Sequence, residues 1–141
     1  MNCIFCAIIS GNLPSSKVYE DNVCVAFMDI QPVNPGHVLV VPKNHVTDLS
    51  DLRPETGMHI FQIAQQVAQK LPDSNLRCEG INLILAHGEV AGQEVFHVHL
   101  HIIPRYKGDG FGFKFGPHYR NLPQREELDT IAAQIKQQLE E

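Results

Sequence analysis

Apolar positions along this chain follow two periods. Between Pro54 and Pro72 they fall at Ile60, Phe61, Ile63, Ala64, Val67, Ala68 and Leu71, spacings of three and four that build one apolar helical face. Pro54 suits the first turn, where its missing N–H costs nothing, and Pro72 stops the helix near Leu71. A second stripe, Leu128, Ile131, Ala132, Ile135 and Leu139, predicts a C-terminal helix. The remaining apolar segments are short. KVYEDNVCVAFMDI reads as two strands about the turn Glu20-Asp21-Asn22, and HVLVVP, 37–42, as a buried strand bounded by Pro35-Gly36 and Pro42. INLILA, 81–86, is a further strand, and HGEVAGQ would join it as a seven-residue hairpin loop to FHVHLHIIPR, 96–105. KGDGFGFKFGPHYRN reads as an extended loop. Strands grouped around a central and a terminal helix imply an α+β fold, with one domain over residues 1–141.

The segment FHVHLHIIPR raises a chemical question. On a strand, His97, His99 and His101 would share one face while Val98, Leu100 and Ile102 take the other. At a rise of about 3.3 Å per residue the rings stand roughly 7 Å apart, a span that flanks one phosphate-sized group or splits between two neighbouring sites. Ordinary polar faces use Thr, Lys, Glu or Ser. Three imidazoles in register point instead to metal binding, or to acid, base or nucleophilic chemistry near neutral pH.

Charge narrows the partners. With 11 Lys and Arg against 16 Asp and Glu, the net charge is −5, which excludes bulk electrostatic binding of nucleic acid and leaves room for a small anionic metabolite. No apolar run reaches the roughly 20 residues of a membrane helix. The beginning MNCIFCAIIS has no basic region or cleavage site of a signal peptide, so a cytoplasmic location is expected. In a reducing compartment the four cysteines are expected to be thiols, metal ligands or core residues.

Cys3 and Cys6 form C-x2-C, which reads as half a tetrahedral zinc site, a redox pair or two buried thiols. No second C-x2-C exists, so further ligands would be histidines. His45, beyond the HVLVVP strand, and His37, at its start, join the trio as candidates. His59 reads as a helical surface residue and His118 as a loop residue. In the loop GEVAGQE, 88–94, Gly88 and Gly92 would let backbone N–H groups turn toward an anion.

HVHLHII matches the His-x-His-x-His-x-x signature of the histidine triad family, and AFMDIQPVNPGHVLVVPKNHV and GQEVFHVHLHIIPR resemble the segments that surround it. With the C-x2-C the resemblance spans residues 3 to about 112, leaving 113–141 as loop and terminal helix. It implies a two-fold homodimer, with the sheets and central helix at the interface, and hydrolysis of a purine nucleotide conjugate at the α-phosphate with release of AMP or GMP. His99 would be the nucleophile, with its Nδ1 proton held by the His97 carbonyl; His101 would donate to the phosphate or leaving group, and His37 would support the triad. Asp29 would take the ribose hydroxyls, Gln93 and the backbone at Gly92 the phosphate oxygens, and Phe27, Ile30 and Phe5 the base. Cys3, Cys6, His45 and His97 would hold a structural zinc.

Two positions depart from the family pattern. Ala86, followed by His87, stands where relatives carry an amide, and Glu94 stands where they offer a hydroxyl. A carboxylate there would repel a polyphosphate tail and suit a cationic or amine leaving group. Two rival readings follow: a nucleotide-binding sensor with little catalysis, and a hydrolase whose zinc is itself catalytic. The second needs an open metal position, which C-x2-C with His45 argues against.

Overall fold

The computed structural model describes residues 2–141 and has two compact units, one running to Gly110 and the other spanning Phe111–Glu141. The first contains α1 (Ile4–Ile9), β1 (Lys17–Glu20), β2 (Cys24–Met28), β3 (Val38–Pro42), α2 (Pro54–Lys70), β4 (Gly80–Ile84) and β5 (Leu100–Arg105). The second contains α3 (Arg125–Glu140), which carries the expected apolar stripe with Leu128, Ile131, Ile135 and Leu139 exposed. Preceding α3 in that unit, the Phe115 and Tyr119 rings stack with centroids 3.8 Å apart. No helix among the described residues is long and apolar enough to cross a membrane.

The five strands form one antiparallel sheet in the order β1-β2-β3-β5-β4, so the fold is mixed α+β. Alternation within β2 and β3 divides the core. Cys24, Ala26, Val38 and Val40 pack with Ile60, Ile63 and Ala64 of α2, while Val25, Phe27, Leu39 and Val41 pack with Phe5 of α1. Strand residues directly opposite one another share a face, and His101 pairs with Leu39. His101 is thereby directed to the α1 side, and its neighbour Ile102, paired with Val38, to the α2 side.

The central helix ends as the prolines predict, passing into a 3-10 turn at Leu71–Asp73. Its His59 is more than a surface residue: Nε2 lies 2.6 Å from Asp21 Oδ2, which also accepts from the Tyr19 hydroxyl at 2.7 Å. This pair ties α2 to the β1–β2 turn.

Three expectations are corrected. The INLILA strand is shifted to Gly80–Ile84, leaving Leu85 and Ala86 outside it. The histidine strand begins only at Leu100, so His97 and His99 precede it, and the connection from β4 runs over residues 85–99 instead of seven residues. The physical reason lies in β3. Continuing the register of Val40 with Leu100 would set Val98 against Pro42, which has no N–H to extend the ladder. The chain bends away, and the Val98 N–H donates instead to the Val46 carbonyl at 2.7 Å. Finally, the N-terminal segment, given no element by its pattern, is a short helix capped by Cys3, whose Sγ accepts from the Cys6 N–H.

The turn before β3 holds His37 in place. Gly36 adopts φ +99°, and a Cβ there would stand 2.8 Å from Leu76 Cδ1 and 3.1 Å from Pro104 Cγ. Asn34, buried beside it, donates to the Pro104 carbonyl at 2.9 Å and to Asp109 at 2.8 Å. Gly36→Ala therefore combines a left-handed backbone with a steric overlap and is expected to cost about 1–3 kcal/mol. A lowered midpoint of chemical denaturation with unchanged slope would show it.

Candidate functional site

Two groups of histidines meet where β5 begins. In the first, Cys3 Sγ and Cys6 Sγ lie 3.4 and 3.6 Å from His97 Nδ1, Cys6 Sγ lies 3.3 Å from His45 Nδ1, and the two Nδ1 atoms are 3.2 Å apart. Tetrahedral zinc, with bonds of about 2.3 Å to sulfur and about 2.0 Å to nitrogen, sets N and S about 3.5 Å apart and two nitrogens about 3.3 Å apart. The His97 ring is oriented for this role, because its Nε2 donates to the Pro42 carbonyl at 2.8 Å and leaves a lone pair on Nδ1. All four ligand atoms lie within 4.8 Å of one another, so these residues could hold one metal ion with its coordination closed by protein.

The second group is His37, His99 and His101, and its hydrogen bonds determine its tautomers. His99 Nδ1 lies 2.8 Å from the His97 carbonyl, which only accepts, so Nδ1 carries the proton and Nε2 the lone pair. The Val33 N–H donates to His37 Nδ1 at 3.0 Å, so neutral His37 is protonated at Nε2. That Nε2 lies 2.9 Å from His101 Nδ1, which must accept, so His101 presents an N–H at Nε2. A lone pair on His99 and a proton on His101 thus face one cavity, with the two rings 4.8 Å apart between centroids.

That cavity has a volume of about 490 Å³. Helix α1 forms one wall through Ile4, Phe5 and Ile8; β2, β3 and the loop after β2 supply Phe27, Leu39, Asp29 and Ile30; Gly92, Glu94 and Val95 close it beside His99 and His101. Phe5 stands edge-on to His99 with centroids 5.0 Å apart and to Phe27 at 5.6 Å. Ile30 touches the cavity only from its mouth, being 93% exposed. Asp29 is held by the Gln31 N–H at 2.8 Å on Oδ1, and its Oδ2 lies 3.5 Å from His37 Nε2.

The glycine loop is arranged differently from expectation. Gln93 is buried, and its amide accepts from the Gly88 N–H at 2.8 Å and donates to the Thr47 carbonyl at 2.7 Å. Gly92 and Glu94, on either side of it, line the cavity in its place. Ala91, Gly92 and Gln93 also spend their N–H groups on carbonyls of Gly88 and Glu89, so this loop fastens itself rather than opening amides to an anion. Gly88 and Gly92, both at φ +94°, make that closure possible. His87 points elsewhere, toward Asp48 at 3.5 Å, and His118 lies in the second unit against Asn121 at 3.3 Å.

The HIT domain model matches residues 10–108. The chain belongs to the HIT family. It is similar to the crystal structure of a HIT family protein from Bacillus anthracis, with a TM-score of 0.88, 44% identity and coverage of 97% of this chain and 96% of that one. A Zn-bound histidine triad family protein from Mycobacterium smegmatis is also similar, with a TM-score of 0.76, 39% identity and coverage of 97% of each chain. Among curated relatives, adenosine 5'-monophosphoramidase hnt1 of Schizosaccharomyces pombe is 34% identical over 140 residues, 99% of either chain.

In this HIT domain the part least legible from sequence is α1, which supplies a cavity wall. Its signal was the spacing of Ile4, Phe5, Ile8 and Ile9 behind a cysteine cap, too short a run to stand out as a helix. Also missed was the Pro42 carbonyl, the acceptor that orients His97.

Burial favours the neutral form of four histidines. Desolvation lowers the pKa of His37, His97 and His99, the last despite its bond to the His97 carbonyl. His101 is pushed down to about 4, first by burial and then by the neighbouring His99 and His37. A histidine whose folded value lies below its unfolded one contributes stability that is present above about pH 6.5 and falls as pH drops toward 4. NMR titration of the ring carbons is expected to find His101 neutral at pH 6, with its midpoint near 4.

Proposed function

We propose that this chain is a nucleotide hydrolase that cleaves nucleoside 5'-phosphoryl compounds, phosphoramidates or dinucleoside polyphosphates, at the α-phosphate and releases AMP or GMP. One observation carries this reading: the hydrogen bonds that leave a lone pair on His99 Nε2 and a proton on His101 Nε2 beside the same cavity. The adenosine 5'-monophosphoramidase among the relatives points to the same chemistry.

The steps follow from the tautomers. His99 Nε2 attacks phosphorus as the bond to the leaving group breaks, and His101 donates a hydrogen bond from Nε2 to the departing nitrogen or oxygen, which takes its proton from water as it leaves. The covalent nucleotidyl-histidine carries positive charge on the ring, and the Nδ1–H directed at the His97 carbonyl stabilises it. Water then attacks the same phosphorus, loses its proton to solvent and frees His99. His37 holds the His101 tautomer through its own Nε2–H. Asp29 would accept from the ribose hydroxyls, and the apolar walls at Phe5 and Phe27 would take a purine. Gln93 acts here by holding the loop.

Adenosine 5'-phosphoramidate and diadenosine tetraphosphate offered side by side test the assignment. Wild type is expected to release AMP from at least one of them, and His99→Ala to reduce that rate by roughly a thousandfold or more. Nucleotide binding without release in the wild type would mean a sensor.

Zinc is the metal that the Cys3, Cys6, His45 and His97 donor set fits, and its role in this reading is structural: it crosslinks the capped end of α1 to the segment carrying His97. Cys3→Ser is then expected to lower thermal stability and to weaken zinc binding by more than the roughly 10–100-fold that losing an outer partner costs. Zinc content by atomic emission, read beside AMP release, checks this. Residual release with little metal is the expected pattern, and folded protein without any release would reassign the metal to catalysis.

A further inference from the structure

The charged groups around the cavity are all of one sign. Asp29 and Glu94 line it, and among the described residues no lysine or arginine does. The His99 and His101 rings stand between them, 4.8 Å apart between centroids. Backbone amides do not make up the difference, because the N–H groups of Gly88, Ala91, Gly92 and Gln93 are engaged within their own loop. A polyphosphate leaving group would therefore enter a space with a carboxylate at its wall and, among the described residues, no fixed cation. Asp29 is already bonded to the Gln31 N–H and lies near His37, whereas Glu94 is exposed on the loop flanking the histidines.

We infer that Glu94 is a specificity-determining residue for the leaving group, selecting nucleoside phosphoramidates whose departing amine bears a second, cationic amino group over polyphosphate conjugates. The inference rests on the nucleotidyl-histidine reading and deepens it. In the step concerned the P–N bond breaks and a bond from phosphorus to His99 Nε2 forms, the departing nitrogen takes its proton from water while accepting a hydrogen bond from His101, and the ammonium at the far end of that amine pairs with Glu94 without itself reacting. Because Glu94 is exposed, the pairing is screened by solvent and its effect is modest.

The test compares adenosine 5'-phosphoramidates substituted on nitrogen with 2-aminoethyl and with propyl, matched in size and different in charge, alongside diadenosine tetraphosphate. For wild type the expected ratio of kcat/KM, aminoethyl over propyl, is about fivefold at low ionic strength, shrinking toward one as salt rises. Glu94→Gln should bring the ratio to about one, and Glu94→Lys should invert it while raising kcat/KM for diadenosine tetraphosphate. A merely structural role for Glu94 would change all three rates together and leave the ratio intact. Equal rates for the two phosphoramidates in wild type, or a ratio unmoved in both variants, would overturn this inference alone. Absence of AMP release from all three compounds would overturn the nucleotidyl-transfer reading and this inference together.

Discussion

A neutral imidazole has one N–H and one lone pair, and the group opposite one nitrogen decides what the other presents. Three buried and two half-buried histidines crowd the start of β5, and His37, His97, His99 and His101 are each fixed by a proton or a lone pair with a definite partner. Pro42 takes the His97 proton, the His97 carbonyl takes that of His99, and His101 takes that of His37, whose own lone pair is filled by the Val33 amide. Reversing any one of these tautomers would set two protons or two lone pairs face to face. The polarity of the site thus follows from three backbone groups, two carbonyls and an amide, which do not titrate.

The fold supplies those backbone groups by failing to continue a strand. Proline at position 42 ends the β3–β5 ladder, and the carbonyl it leaves unpaired becomes the anchor for His97. The bend that follows separates the duties of three histidines evenly spaced in sequence. His97 turns toward Cys3, Cys6 and His45, His99 toward the cavity under Phe5, and His101, back in register opposite Leu39, toward His37. One short helix joins the two groups, because α1 begins at the cysteine pair and lines the cavity with Phe5. A carboxylate-lined opening then bounds what can be accepted there.

Much of this was legible in the chain itself. The period of α2, its prolines, the buried run of β3 and the grouping of strands specify the α+β architecture, since local pattern decides which face each residue buries. The histidine motif and the C-x2-C name the chemistry, because few purposes other than binding or catalysis require those residue types at those spacings. The role of Gln93 is less legible, because an amide side chain beside glycines serves a ligand or its own loop equally well, and in this structure it accepts from the Gly88 N–H and donates to the Thr47 carbonyl.

The sequence by itself determined the two long helices, the grouping of the strands, the reactive residue types and the excess of negative charge, all properties of local order and composition. Only the tertiary structure decided which nitrogen of each ring is free, which histidine belongs to the cysteines and which to the cavity, and that no lysine or arginine reaches the cavity wall among the described residues. Those depend on acceptors 55 and 64 positions away in the chain, the Pro42 carbonyl for His97 and the meeting of His37 with His101. A proton's position on a ring is set by what stands opposite it, and that neighbour exists only once the sheet has formed.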